Sequence, residues 1–167
     1  MNQSFTDDEY CRSLIGLFEK VFPNISVIGG AEEPLYIAPS VNTNAKIYFR
    51  SNYPRSLLHE ISHYCLAGER RRNLDDFGFW YSPCGRTREE QTRFELVEAR
   101  PQGLEKVMCE IVGIPFSASF DDFSSGTSSD IFLCNIEEAY LEMGENPPPT
   151  AKKALLALRH FSEKRNF

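Results

Sequence analysis

Apolar positions along the chain change period several times, and each change predicts an element. Thr6-Asp7-Asp8-Glu9 is a capping box, after which Tyr10, Leu14, Leu17, Phe18 and Val21 recur at helical spacing until Pro23. Three short runs rich in β-branched or aromatic residues follow: Ile25–Ile28, Leu35–Ala38 and Lys46–Phe49. Turns of Gly, Pro, Ser and Asn separate them. Pro54 then suits the first turn of a helix whose apolar stripe is Leu57, Ile61, Tyr64 and Cys65, with Gly68 expected as its C-terminal cap. Thr87-Arg88-Glu89-Glu90 is a second capping box, and it opens a helix through Ala99 with Phe94 and Val97 on the inner face. Pro101 is expected to open a separate helix carrying Leu104, Val107, Met108 and Ile111 and ending at Gly113. Two more helices, about Asp130–Met143 and Thr150–Lys164, lie on either side of Pro147-Pro148-Pro149, and Ser124–Ser129 reads as a loop. There is no internal repeat. The pattern predicts an α+β protein: one catalytic domain over residues 1–167, with a small sheet packed against several helices.

Composition narrows the class. A chain of 167 residues, 41% apolar and 25% charged, has the length and content of one well-buried domain. It has no membrane-length apolar run, and its start, Met1 to Asp8, is acidic without an apolar signal core, so a cytoplasmic protein with no membrane partner is expected. Five cysteines without a Cys-x-x-Cys pair suggest reduced, mostly buried thiols. A net charge of −6 disfavours nucleic acid as a partner. Glu69-Arg70-Arg71-Arg72 reads first as a solvated charged face, and second as a basic patch that steers an acidic partner. Asp76-Phe77-Gly78-Phe79-Trp80-Tyr81 is a dense aromatic loop, either core or the wall of a cleft.

The chemistry concentrates in His59-Glu60-Ile61-Ser62-His63, which holds two of the chain's three histidines. On a helix, residues four apart share a face, so both imidazoles reach one cation, and Glu60 lies beside a water bound to it. Two histidines need a third protein ligand. His160 is remote, and the extended His-x-x-Gly-x-x-His form is absent. Glu98, on the edge of the inward stripe of the following helix, is the expected third ligand, and Glu95, rotated further out, is the alternative. With zinc, such a set is a hydrolase site in which Glu60 is the general base, serving a metallopeptidase or a metal-dependent ribonuclease. A peptidase needs an edge strand beside its cleft, and Ile47-Tyr48-Phe49 is the candidate. With Fe(II), the set is a facial triad open to oxygen.

The order of motifs favours the second chemistry. His59-Glu60-Ile61-Ser62-His63-Tyr64-Cys65-Leu66-Ala67-Gly68, Arg71-Arg72, Asp76 to Tyr81, Arg86, Phe94 to Glu98 and Pro101-Gln102-Gly103-Leu104-Glu105 together resemble the elongation factor P hydroxylase family, most strongly over residues 50 to 125. The resemblance implies a non-haem iron monooxygenase that takes molecular oxygen. Its substrate would be elongation factor P, with hydroxylation of a lysine already extended by a β-lysyl group. It also implies a fold like the metal-dependent hydrolases, zincins and a ribonuclease of ribosomal RNA maturation. His59, His63 and Glu98 carry over as the metal set, and Glu60 becomes a group that orients a ligand or handles protons.

Overall fold

The computed structural model describes residues 7–79, 86–120 and 130–165. The element order is α1 (Asp7–Val21), β1 (Ile25–Ala31), β2 (Leu35–Ile37), β3 (Ala45–Arg50), α2 (Pro54–Leu66), α3 (Glu69–Arg72), a helical turn Asp75–Gly78, α4 (Arg88–Val112), α5 (Asp130–Glu145) and α6 (Pro149–Arg165). The three strands form one sheet in the order β1-β3-β2, with β1 parallel and β2 antiparallel to β3. This is the expected α+β architecture. The Thr6 cap and the Ser124–Ser129 loop lie outside the described residues.

Alternation along β3 buries Ala45, Ile47 and Phe49, and the same face of β1 buries Ile25 and Val27. These side chains meet Leu14 and Phe18 of α1, Leu57, Leu58 and Ile61 of α2, Leu104 and Met108 of α4, and Leu155 and Leu158 of α6 in one core. Removing such side chains from water is the main drive for the fold, at about 1.5–3 kcal/mol for each one fully buried. α2 is therefore fixed on its apolar side by sheet and helices, which leaves its histidine-bearing side to face elsewhere.

Two boundaries differ from expectation. α2 ends at Ala67 in extended conformation, and Gly68 is instead the N-cap of the four-residue α3. The chain turns there without a left-handed glycine, because a new helix begins at once. The second difference matters more: α4 is one helix of 25 residues running straight through Pro101. Proline inside a helix forfeits a hydrogen bond and crowds the preceding turn, at about 3 kcal/mol. Here the cost is outweighed by packing, since every residue from Pro101 to Glu105 is buried. Gly103 shows how close that packing is: a Cβ there would stand 2.5 Å from the Cβ of Ala139 on α5.

The short strand β2 is an edge, and the outward N–H groups on it and one residue past it are already used. Tyr36 N–H donates to Asp76 Oδ1 at 2.9 Å and Ala38 N–H donates to Asp75 Oδ1 at 2.9 Å. β3, expected as the cleft-side edge strand for a peptide, lies in the middle of the sheet instead.

Candidate metal centre

α2 and α4 face one another with complementary polar residues at helical spacing. Arg55, His59 and His63 climb one face of α2 four residues apart, while Glu98, Gln102 and Glu105 line the facing side of α4. Arg55 pairs with Glu105, His59 with both acids, and His63 with Glu98. This ladder exists because α4 continues through Pro101; a break there would have put Glu98 and Glu105 on different helices.

His59, His63 and Glu98 bring donor atoms within 4.8 Å of one another, the spacing for one cation. The two Nε2 atoms are 3.1 Å apart, and Glu98 Oε2 is 3.4 Å from each. Glu95 is turned away from this group and accepts a hydrogen bond from Gln91 Nε2 at 3.2 Å. The geometry therefore assembles the expected donors with Glu98, not Glu95, at the third corner. Glu60 lines the same cavity, as do Tyr36, Phe77, Phe79 and Phe94. The cavity has a volume of about 750 Å³.

The charges are arranged for a cation. Burial would depress the pKa of His59, but hydrogen bonds to Glu105 and Glu98 outweigh it and hold the imidazole well above its ordinary range. Burial would likewise raise Glu98, but His63 and His59 outweigh it and hold that carboxyl well below the usual carboxylate range. A divalent ion satisfies the same carboxylate and leaves both imidazoles neutral, so the donor set fits a metal of the imidazole-and-carboxylate class. Glu60 is pushed upward, chiefly by burial.

Sequence reasoning missed Glu105, Gln102 and Arg55. Glu105 is 2% exposed and its Oε2 lies 2.8 Å from His59 Nδ1; Arg55 Nε donates to its other oxygen at 3.1 Å. Gln102 locks the chain after α4: its Nε2 donates to Ser119 O at 2.8 Å and its Oε1 accepts from Ser119 N–H at 2.9 Å. The available signal was spacing, since 98, 102 and 105 share a face once the helix is allowed to pass Pro101.

The aromatic loop is cleft wall and core together. Asp76, Phe77 and Gly78 all have positive φ, at 47°, 55° and 73°. Such a backbone is strained for Asp and Phe and persists only where its surroundings enforce it. Here it carries Phe77 under the metal helix. Trp80 and Tyr81 lie outside the described residues.

The sequence model of elongation factor P hydroxylases matches residues 17–166. The chain belongs to the elongation factor P hydroxylase family. The match extends well beyond the stretch from 50 to 125 and takes in both helices of the site. A curated relative, the elongation factor P lysine hydroxylase of Haemophilus influenzae, is 40% identical over 154 residues, covering 86% of each chain. Among the described residues, no helix is long and apolar enough to cross a membrane.

Proposed function

We propose that the chain hydroxylates elongation factor P, using a non-haem iron held by His59, His63 and Glu98. The substrate in this reading is the lysine already extended by a β-lysyl group, with the hydroxyl placed on the original lysine. Family membership and the name of the Haemophilus relative support the reaction, and the donor set at the base of a cavity supports the metal. That set is the single observation that carries the proposal. Bound Fe(II) supplies the oxygen activation that an unactivated C–H bond requires. Overall, one oxygen atom would enter that bond and the other leave as water, with two electrons and two protons from an external reductant and solvent.

The chain's own residues perform the remaining work. His59, His63 and Glu98 would hold the ion, and the cavity they line would admit the substrate beside it. Aromatic faces of Tyr36, Phe77, Phe79 and Phe94 offer an apolar wall for methylene groups of a long side chain. Glu60, beside His59 and raised by burial, is placed to hold or pass a proton near the ion. A fold akin to the metal-dependent hydrolases, and a cytoplasmic location shared with the translation factor, belong to the same reading.

The peptidase alternative loses its strand: β3 is central, and along the β2 edge the N–H groups of Tyr36 and of Ala38 just past it are taken by Asp76 and Asp75. A ribonuclease would set Arg70, Arg71 and Arg72 against phosphates, but Arg71 and Arg72 are engaged in contacts within the protein. Incubating β-lysylated elongation factor P with the protein, Fe(II) and oxygen tests the proposal by mass. A gain of one oxygen atom, lost under anaerobic conditions or with a chelator, is expected. Zinc-dependent cleavage of a peptide bond without oxygen would establish the hydrolase instead.

A further inference from the structure

Glu105 is not one of the three donors, yet it makes the shortest contact to one of them, 2.8 Å from Oε2 to His59 Nδ1. The two nitrogens of an imidazole lie on opposite sides of the ring, so Glu105 sits behind His59 as seen from Glu98 and His63. A neutral imidazole carries one N–H, and a carboxylate at Nδ1 can only be met by placing that hydrogen there. The lone pair is then on Nε2, the nitrogen that faces Glu98 and His63.

We propose that Glu105 is a positioning residue for the metal site, fixing the tautomer and the rotation of His59, and that Arg55 holds Glu105 in place. A buried carboxylate is costly without a partner, and Arg55 provides one through Nε at 3.1 Å. Arg55 stands one helical turn before His59, so a single helix carries both the ligand and the cation that secures the ligand's support. Arg55 is itself tied by Nη1 to Ser117 Oγ at 2.6 Å, beyond the end of α4. The orientation of His59 thus depends on a chain of contacts that runs from α2 to α4, back to α2 and on to the segment after α4. His63 is oriented differently, with its ring nearly parallel to Phe77 at 11°.

The inference rests on the metal reading but not on the reaction, so its test uses metal alone. Co(II) titrations followed by visible absorption, with thermal unfolding alongside, compare the unaltered chain with Glu105→Ala and Glu105→Gln. Outer partners of ligating histidines change metal affinity by about tenfold to a hundredfold. Glu105→Ala is expected to lose that much, while Glu105→Gln, which still accepts from Nδ1–H, is expected to lose distinctly less. In the zinc-loaded chain, 15N-histidine spectra should show His59 as the Nδ1–H tautomer, and Glu105→Ala should shift that signal and leave His160 unmoved. Unchanged affinity in Glu105→Ala would overturn the inference, as would equal losses in both variants. Loss of binding as complete as that of Glu98→Ala would overturn it too, by making Glu105 a ligand. An unaltered chain that binds no Co(II) or Zn(II) would remove the metal reading and this inference together, whereas normal binding with an unaffected Glu105→Ala removes the inference alone.

Discussion

The ring of Phe77 stacks on that of Tyr36 at 4.0 Å between centroids and 18° between planes, and its plane is also close to parallel with His63. The contact joins the edge strand to the metal helix through a residue whose backbone is strained. Asp76 enforces the strain by accepting from Tyr36 N–H, and Arg71 Nη1 adds a hydrogen bond to Phe77 O at 2.9 Å. Phe77→Ala should cost about 3–5 kcal/mol, the usual range for a buried Phe, and should also weaken metal binding by freeing His63. Asp76→Ala should cost about 1–3 kcal/mol, because a buried N–H on β2 loses its acceptor. Denaturant unfolding measures both, and metal titration of the folded fraction separates the effect on His63 from loss of fold.

The donor set makes a sharper demand. His59→Ala and His63→Ala should each abolish metal binding and hydroxylation, and Glu98→Ala should reduce both severely, since two remaining protein ligands leave a weak, misshapen site. Glu95→Ala should be close to silent, because Glu95 stands apart from the three donors and, among the described residues, accepts its hydrogen bond from Gln91 on its own helix. Metal content of the purified variants, with the mass of the substrate after reaction, measures the set. Full occupancy in the double histidine variant would end the metal assignment.

Much of this was legible because the signals are local. Capping, proline placement and hydrophobic period are properties of a few adjacent residues, and they place α1, α2, the three strands and the start of α4 close to where they lie. The histidine pair is legible for the same reason. Pro101 misled because its helix-breaking effect is local while the packing that overrides it comes from α2, α5 and α6. With that break assumed, Glu105 could not be seen as a partner of His59. The αL turn at Asp76 and Phe77 was invisible too, because neither residue favours it and only tertiary contacts impose it.

The arginine run shows the same limit and yields a prediction. Arg72 Nε donates to Tyr64 O at 3.1 Å, its Nη2 donates to Thr150 Oγ1 at 3.0 Å, and its guanidinium lies over the Tyr64 ring. Arg71 covers the Phe79 ring as well as bonding Phe77 O. These two residues tie α3 to the core and to the cleft wall, Arg72 half-buried and Arg71 still exposed, so neither is a freely solvated charge. Arg72→Glu should lower the melting temperature and damage turnover of whole protein and short peptide alike. Arg70→Glu, at an exposed position, should leave stability within about 0.5 kcal/mol. Any loss it causes should fall on the protein substrate and shrink with added salt.

The cysteines give a prediction in pH. Cys11, Cys65 and Cys109 are buried and free, and Cys134 is exposed and free. Burial pushes the thiols of Cys65 and Cys109 up to about 12 and that of Cys11 up to about 11. A thiol in an unfolded chain ionises near about 8.5. These groups are neutral in both states below that value, so their contribution to stability is fully present there. As pH rises further, the unfolded chain releases protons that the folded chain retains, and stability falls until the folded values are passed. Denaturant midpoints should therefore decline between about pH 8.5 and 12, and replacing Cys65 by Ala should flatten part of that decline. At neutral pH, alkylation of the native chain should modify Cys134 while Cys11, Cys65 and Cys109 react only after unfolding, because the thiolate is the nucleophile and burial withholds it. Peptide mapping after a short pulse of iodoacetamide reads the pattern directly. Rapid labelling of Cys65 in the folded protein would contradict the packing of α2 against the core, and with it the fixed platform on which His59 and His63 stand.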